Sequence, residues 1–224
     1  MMDQETLAGI FSAFSTRVEF EGAETMTGGL INHSWLVTAA LGEKFVLQQL
    51  NPRVFSQPEK VMGNILQVTG HLRGKGEATL EFFPLEEQPG QHLHMDASGG
   101  AWRLSRFLDG TRTLAKLTGG DDAENAGRAY GRFICQLADF PADQLHETIP
   151  GFHDTSRRWA ALLQAHLEDG CGRAWQVDDE MSALMARADV ARGFAVLDLP
   201  LRVVHNDAKL SNVLLDAETG QAVC

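Results

Sequence analysis

Cysteine is scarce in this chain of 224 residues, which contains only Cys135, Cys171 and Cys224. These three are far apart and odd in number, so they form neither a disulfide framework nor a Cys-x-x-Cys metal site. The N-terminus has no basic segment ahead of an apolar run, and no stretch approaches the roughly 18 apolar residues of a membrane span. We therefore expect a soluble, cytoplasmic protein.

Basic residues are also few, since Lys and Arg number 19 against 30 Asp and Glu, for a formal net charge of −11. A chain this acidic is a poor general binder of nucleic acid, because that affinity depends on cations that neutralise phosphates. Anionic membrane surfaces repel it as well. We expect a small-molecule partner, and a local basic pocket for a phosphorylated ligand is compatible with the overall charge.

The pattern of apolar residues predicts an α+β chain with a strand-rich first half and a helix-rich second half. The predicted strands are 17–20, 34–38, 45–50, 93–96, 101–107, 201–205, 212–215 and the start of one at 222–224. The predicted helices with defined bounds are 4–14, 58–72, 155–168 and 178–192. A further helix is predicted between the second and third of these, with Asp121 or Asp122 as its cap and an apolar face that includes Tyr130 and Phe133. The boundary between the halves is near 108–110.

The segment 203–215 carries the most chemical information, because a polar loop separates two apolar runs. Its loop has the pattern His205-x-Asp207-x-Lys209-x-x-Asn212. Phosphoryl transfer from a nucleotide needs a carboxylate that accepts the proton of the acceptor hydroxyl, and an oxygen ligand that holds Mg²⁺. Asp207 fits the first role, Asn212 the second, and Lys209 would offset charge on the transferred group. His205 would brace the loop by hydrogen bonding. The alternative is an ordinary hairpin loop rich in Asn, Asp and Ser.

This loop resembles the catalytic loop of the aminoglycoside phosphotransferase and choline kinase-like superfamily, a branch of the protein-kinase-like fold. The wording is most similar to that of the N-acetylhexosamine kinases in three stretches, which read HNDAKLSNVLLD, GGLINHSWLV and FVLQQLN. The resemblance implies a two-lobed fold. Residues 1–108 would form the N-lobe, a small antiparallel sheet with one helix, and residues 109–224 a partial helical C-lobe.

The resemblance also implies an activity, which is transfer of the γ-phosphate of ATP, with Mg²⁺, to the anomeric hydroxyl of an N-acetylhexosamine. Gly28, Gly29 and Asn32 would form the loop over the phosphates, since backbone amides approach phosphate closely where there is no Cβ. The segment from Arg106 to Leu108 would be the hinge that offers backbone groups to adenine. From the residues alone, a simple hairpin turn is the better interpretation of the first stretch, and an edge strand explains the second equally well.

Other functions stay open at this stage. The alternative acceptors are an aminoglycoside, choline, homoserine and methylthioribose. An acidic acceptor pocket would favour the cationic ones among them. A non-catalytic, pseudokinase-like remnant that binds nucleotide without turnover is the alternative from another class. His92 and His94 lie on one side of a strand near Asp96, but no further ligand has the spacing that a metal site requires.

Two departures from the family pattern bear on activity. A typical kinase carries a phosphate-binding Lys on the strand where this chain has the neutral Gln48. Arg53 and Lys60 lie nearby in the sequence, and the pattern assigns the role to neither. The sequence given also stops at Cys224, where the pattern leads us to expect a strand that ends in a second metal-binding Asp. We therefore expect the chain to be a C-terminally truncated form.

The first prediction concerns the activity of these 224 residues by themselves. Because Mg²⁺ prefers near-octahedral oxygen coordination that includes carboxylate, Asn212 alone should bind it weakly. We expect little or no ATP-dependent turnover in an assay of ADP release with sugar acceptors. Measurable turnover on any sugar would contradict this expectation.

Overall fold

The computed structural model describes residues 2–27, 29, 31–117, 119–193 and 197–224. The helices are α1 (Gln4–Ser12), α2 (Pro58–Gly74), α3 (Gly120–Gln136), α4 (Thr155–Glu168), α5 (Asp178–Met185) and α6 (Ala188–Gly193). The strands are β1 (Phe20–Thr25), β2 (His33–Ala39), β3 (Lys44–Leu50), β4 (His94–Met95), β5 (Ala101–Arg106), β6 (Thr111–Arg112) and β7 (Leu215–Asp216). The α+β class predicted from the sequence is confirmed.

The chain forms two compact units. The first runs to Thr148 and resumes at Arg202–Cys224, and it contains α1 to α3 and all the strands named above. The second, Ile149–Leu201, contains α4, α5 and α6. The boundary at 108–110 stays a prediction. In the described parts of both units, no helix is long and apolar enough to cross a bilayer.

An antiparallel five-stranded sheet, in the order β1-β2-β3-β5-β4, dominates the first unit. Because side chains alternate between the two faces of a strand, each face has its own core. On one face α1 packs against buried residues of β2, β3 and β5, which are Trp35, Val37, Ala39, Phe45, Leu47, Trp102 and Leu104. On the other face, Leu50 and Ala101 pack against Met62 of α2.

Local signals explain where the main elements begin and end. The side chain of Asp3 accepts a hydrogen bond from the Thr6 N–H and so caps α1. Pro58 occupies the first turn of α2, where its missing N–H costs nothing. The predicted β2–β3 hairpin turns at Ala40–Gly42, and Gly42 takes a positive φ of 74° there.

Four predicted elements differ from the structure. Of the strand predicted over 212–215, only Leu215 lies in a strand, because Leu210–Asn212 form a 3₁₀ turn. The strand predicted over 17–20 begins only at Phe20, because Arg17 has a left-handed φ of 61°. The helix predicted over 178–192 is two helices, since the Arg187 N–H bonds to the Leu184 carbonyl and tightens the last turn. Residues 201–205 do not form a strand, because no described strand lies beside them to pair with their backbone.

The aromatic contact between α1 and the sheet should contribute a large share of stability. Phe11 is 1% exposed, and its ring lies 5.3 Å from that of Phe45 and 5.9 Å from that of Phe20. We expect Phe11→Ala to lower the free energy of unfolding by about 3–5 kcal/mol in urea denaturation, as other large-to-small core substitutions do. Leu41→Ala is the control, because Leu41 is 92% exposed. Equal effects of the two substitutions would contradict this packing.

A carboxylate in the turn between β4 and β5 makes the free energy of unfolding depend on pH. Burial alone would raise the pKa of Asp96, but hydrogen bonds from Ser98, Trp102 and Gly100 outweigh it and hold the pKa at about 2. A carboxylate whose pKa is depressed on folding stabilises the protein above its unfolded pKa and loses that effect as the pH falls.

We therefore expect Asp96 to contribute about 1–2 kcal/mol at neutral pH, a value that allows for its partial exposure. This contribution should disappear between about pH 4 and pH 2. Urea denaturation across this range should show a shallower loss of stability in Asp96→Asn than in the wild type. Parallel pH profiles would refute the role given to this carboxylate.

Candidate active site

Helix α3 holds the loop that the sequence identified. The Tyr130 hydroxyl donates to the Lys209 carbonyl at 2.9 Å and accepts from the Lys209 N–H at 3.1 Å. Further along the chain, the Asn125 side chain donates to the Gly220 carbonyl at 2.9 Å. Both ends of the segment that follows Asp207 are therefore fixed to one helix.

Buried aliphatic side chains anchor the loop on either side of its polar residues. Val203, which precedes it, packs against Leu72 of α2 and Leu137. Val213 and Leu215, which follow it, pack in a cluster with Ala126 of α3 and with Leu114, which precedes that helix. The apolar–polar–apolar pattern seen in the sequence thus becomes a short loop between two buried attachment points.

Asp207, Lys209 and Asn212 meet at the centre of this loop. The Lys209 Nζ lies 2.9 Å from Asp207 Oδ2, and the Asn212 Nδ2 donates to the same oxygen at 2.8 Å. The Asn212 Nδ2 also donates to the Asp207 carbonyl at 2.9 Å, through the short turn Leu210–Asn212. The hydrogen bonds from Lys209 and then Asn212 lower the pKa of Asp207, so this carboxylate is ionised at neutral pH.

Both hydrogen bonds go to one carboxylate oxygen, so the other keeps its acceptor capacity. Asp207 Oδ1 has no hydrogen-bond partner among the described residues, and neither has Asn212 Oδ1. Because an ionised carboxylate can only accept, the Asn212 amide must direct Nδ2 toward Asp207. The loop therefore offers two oxygens without internal partners, one anionic and one neutral.

His205 is held by ring contacts. Its ring lies 5.6 Å from that of Tyr130 and 5.9 Å from that of Phe133, in edge-on geometry. No hydrogen bond joins it to any described residue, so in this structure it supports the loop by packing instead of the expected hydrogen bond. Asn206, the next residue, has a left-handed φ of 62°, which turns the chain toward Asp207.

The predicted phosphate loop joins β1 to β2. Gly28 lies outside the described residues. A Cβ on Gly29 would lie 3.3 Å from the Asn32 carbonyl oxygen, so the turn is tight at that point. The Asn32 Oδ1 accepts from the Asn51 N–H at 3.0 Å and thereby fixes the loop to the end of β3.

The predicted hinge follows β5. The Arg106 N–H bonds to the Glu81 carbonyl, and the Phe107 N–H bonds to the Lys44 carbonyl, so both are occupied. The Leu108 carbonyl accepts from the Thr111 hydroxyl at 2.7 Å. Within the described chain the Leu108 N–H has no acceptor, which leaves it as the hinge group that could meet a ligand.

Sequence reasoning missed a polar cluster on the α2 face of the sheet. Gln48 pairs with Ser34 of β2 and with Arg103 of β5 in the strand register. Its Oε1 accepts from Arg103 Nε at 2.9 Å and from Nη2 at 2.6 Å, while its Nε2 donates to the Ser34 hydroxyl at 2.8 Å. Gln48 and Arg103 are 55 residues apart, so only the register of β3 against β5 brings them together.

The described residues contain no cluster of three His, Cys, Asp or Glu side chains placed to hold a metal ion. Asp96, which lies near His92 and His94 in the sequence, directs both of its oxygens to hydrogen bonds within its own turn and to Trp102.

The bond between Tyr130 and the Lys209 backbone gives a testable expectation. We expect Tyr130→Phe to lower the free energy of unfolding by about 1 kcal/mol and to speed hydrogen exchange at the Lys209 amide, which loses its acceptor. Arg128→Gln, an exposed change on the same helix, should alter neither quantity. Unchanged exchange at Lys209 in Tyr130→Phe would show that this hydroxyl does not hold the loop.

Comparison with solved structures places this arrangement among known folds. Spectinomycin phosphotransferase in complex with ADP and spectinomycin is similar, at a TM-score of 0.65 and 11% identity over 100% of this chain and 68% of that chain. The amicoumacin kinase in complex with AMP-PNP and Ca²⁺ gives 0.64 and 12%, over 99% and 62%. A microcompartment-associated aminopropanol kinase gives 0.55 and 14%, over 98% and 66%.

The chain thus spans between 62% and 68% of the length of these three proteins. At such low identity the likeness shows the fold, which is the kinase-like α+β fold expected from the sequence. A sequence model of the phosphotransferase enzyme family matches residues 22–224, which is nearly the whole chain. The chain therefore belongs to the phosphotransferase enzyme family.

Proposed function

We propose that the protein transfers the γ-phosphate of ATP to a small hydroxyl-bearing acceptor, and that this acceptor is the anomeric hydroxyl of an N-acetylhexosamine. The observation that carries this proposal is the contact between Asp207, Lys209 and Asn212 on a loop fixed to α3. In phosphoryl transfer, catalysis consists mainly of positioning the reactants and stabilising charge. A loop with buried anchors on both sides suits that task.

Asp207 is the proposed proton acceptor. Its free Oδ1 would accept the hydrogen bond of the acceptor hydroxyl and orient the hydroxyl oxygen toward the phosphorus atom. The lowered pKa makes Asp207 a weak base. Proton transfer would therefore follow bond formation to phosphorus, which agrees with the loose transition state of this reaction.

Lys209 is the proposed electrostatic helper. Its ammonium group already contacts Asp207 Oδ2 and is about half exposed, so it can also face an incoming phosphoryl group. A cation at this place would offset the negative charge that three phosphoryl oxygens bring close to an ionised carboxylate.

The oxygen of Asn212 fits a metal-binding role, because its amide nitrogen is held by Asp207 and its Oδ1 has no partner among the described residues. Mg²⁺ bound there would neutralise charge on the phosphates of ATP. The phosphates of ATP are proposed to contact the turn at Gly29 and Asn32, and the adenine is proposed to contact the free Leu108 N–H. Residues 1–108 would then form the nucleotide-binding lobe, and residues 109–224 would form part of the acceptor-binding lobe.

The choice of acceptor depends on resemblance, so it needs its own test. The wording of the catalytic loop, of the Gly28–Gly29 turn and of β3 favours an N-acetylhexosamine. Three similar structures carry the names of enzymes for spectinomycin, amicoumacin and aminopropanol. Together with the net charge of −11, these names favour testing amino-group-bearing acceptors beside the sugars.

The test uses the complete protein. Phosphorylation is measured by ³¹P NMR in the presence of ATP and Mg²⁺. We expect phosphorylation of N-acetylglucosamine or N-acetylgalactosamine and no phosphorylation of kanamycin or choline. Asp207→Asn should lower kcat by about 10²–10⁴-fold, as loss of a general base does. The matched control is Asp143→Asn, an exposed carboxamide change in the turn Ala142–Gln144.

Phosphorylation of kanamycin or choline in place of the sugars would replace the proposed acceptor but keep the phosphotransferase. Failure of the complete protein to transfer phosphate to any acceptor would refute the proposed function. Wild-type turnover by Asp207→Asn would refute the role of the carboxylate.

A further inference from the structure

Arg103 lies on the same face of the sheet as α2, where its side chain is partly buried. Its guanidinium carbon lies 5.5 Å from the centre of the Phe82 ring, which packs with Leu50 and Met62 of that face. Gln48, across the strand pair, accepts two of its hydrogen bonds. Phe82 and Gln48 together fix the plane and position of the guanidinium group.

Among the residues that the structure describes, no carboxylate pairs with the charge of Arg103. Burial lowers the pKa of Arg103 to about 10, so the side chain stays protonated at neutral pH. It makes no salt bridge with any carboxylate among the described residues, and Nη1 donates no hydrogen bond to them. A partly buried cation without a counter-charge costs free energy, and an anionic ligand would offset that cost.

Arg106 on the same strand shows what a purely structural arginine looks like in this protein. It pairs with Glu81 at 2.7 Å and with Glu43 at 3.0 Å, so its charge is neutralised within the protein. The hydrogen bonds that Arg106 donates, first to Glu81 and then to Glu43, raise the pKa of Arg106. Arg103, only three residues away, is held by a neutral amide instead.

Gln48 suits the task of orienting a cation without neutralising it. Ser34 accepts from its Nε2, which turns Oε1 toward Arg103. A carboxylate at this position would cancel the charge of Arg103, whereas an amide leaves the full positive charge free to act on a ligand. The network from Ser34 through Gln48 to Arg103 therefore presents one oriented and unneutralised guanidinium group.

The position of this network connects it to the predicted phosphate loop. Gln48 lies three residues before Asn51, whose N–H bonds to Asn32 in that loop. In protein kinases the Lys that binds the phosphates lies on β3. Here the β3 residue near that place is neutral, and the cation sits directly opposite on β5.

We propose that Arg103 replaces the missing β3 lysine and binds the phosphate groups of a nucleoside triphosphate, with Gln48 as its positioning residue. The identity of the ligand rests on the function proposed above, while the anion site rests on the geometry of Ser34, Gln48 and Arg103. Two donors of a planar guanidinium suit paired phosphate oxygens, which a lysine would meet as a point charge.

Calorimetric titration of the complete protein with ATP, ADP and adenosine tests the proposal. Arg103→Gln should weaken ATP and ADP binding by about 10- to 100-fold, the range for a lost charge-assisted hydrogen bond, and leave adenosine binding unchanged. Arg128→Gln removes the same charge from an exposed place on α3 and should change none of the three affinities. Equal ATP affinity in Arg103→Gln and the wild type would overturn the proposal.

A charge-swapped variant separates the loss of the cation from damage to the fold. Gln48→Lys combined with Arg103→Gln keeps one cation and one amide across the same strand pair but returns the cation to β3. We expect this double variant to recover at least part of the ATP affinity that Arg103→Gln loses. If Arg103→Gln unfolds, the double variant alone decides, and its failure to bind ATP while folded and while still binding adenosine would overturn the proposal.

Inorganic tripolyphosphate distinguishes failure of the anion site from failure of the proposed function. If the wild type binds tripolyphosphate and loses it in Arg103→Gln, but does not bind ATP, the anion site stands and the nucleotide assignment falls. If the wild type binds neither, or if Arg103→Gln binds tripolyphosphate as tightly as the wild type, Arg103 is not an anion-binding residue.

Discussion

The two hydrogen bonds between the Tyr130 hydroxyl and the backbone of Lys209 are the contact on which the candidate site depends. Lys209 lies between Asp207 and Asn212 in the sequence, so its backbone position sets the directions of both side chains. Burial raises the pKa of Tyr130, and the hydroxyl stays protonated and able to donate. Helix α3 is in turn tied to α2, since the side chains of His71 and Lys75 both reach Asp139 beyond its end.

Charged side chains are paired differently in the catalytic loop around Asp207 and at Arg103 on the sheet. In the loop before β7, the carboxylate of Asp207 is paired with Lys209 but keeps one oxygen free. On the sheet, Arg103 has no acidic partner among the described residues and is oriented by Gln48 and the Phe82 ring. A protein with a net charge of −11 would otherwise repel a polyphosphate, so a local cation such as Arg103, with no counter-charge among the described residues, would help such a ligand to approach.

Local patterns in the sequence were sufficient for elements that form from near neighbours. The β2–β3 hairpin, α2 with its Pro58 start and α4 over 155–168 agree closely with prediction because turn residues and helical spacing determine them. The polar loop was found for the same reason, since its residues lie within eight positions of one another. The strand predicted over 201–205 was wrong because an apolar run becomes a strand only where another strand pairs with it.

Contacts between distant segments could not be predicted from the sequence. Tyr130 was expected on the apolar face of α3, but nothing in the sequence showed that its hydroxyl reaches Lys209, 79 residues later. Arg103 escaped notice because its meaning depends on lying opposite Gln48, and that follows from the register of two strands with α2 and β4 between them in the chain.

The most direct test of the account is a crystal structure of the complete protein with a non-hydrolysable ATP analogue and an N-acetylhexosamine. We expect the acceptor hydroxyl to lie about 2.6–3.2 Å from Asp207 Oδ1, in line with the γ-phosphorus. A nucleotide bound away from this loop, or an acceptor hydroxyl that contacts a different base, would contradict the claim that these residues form a phosphotransferase site.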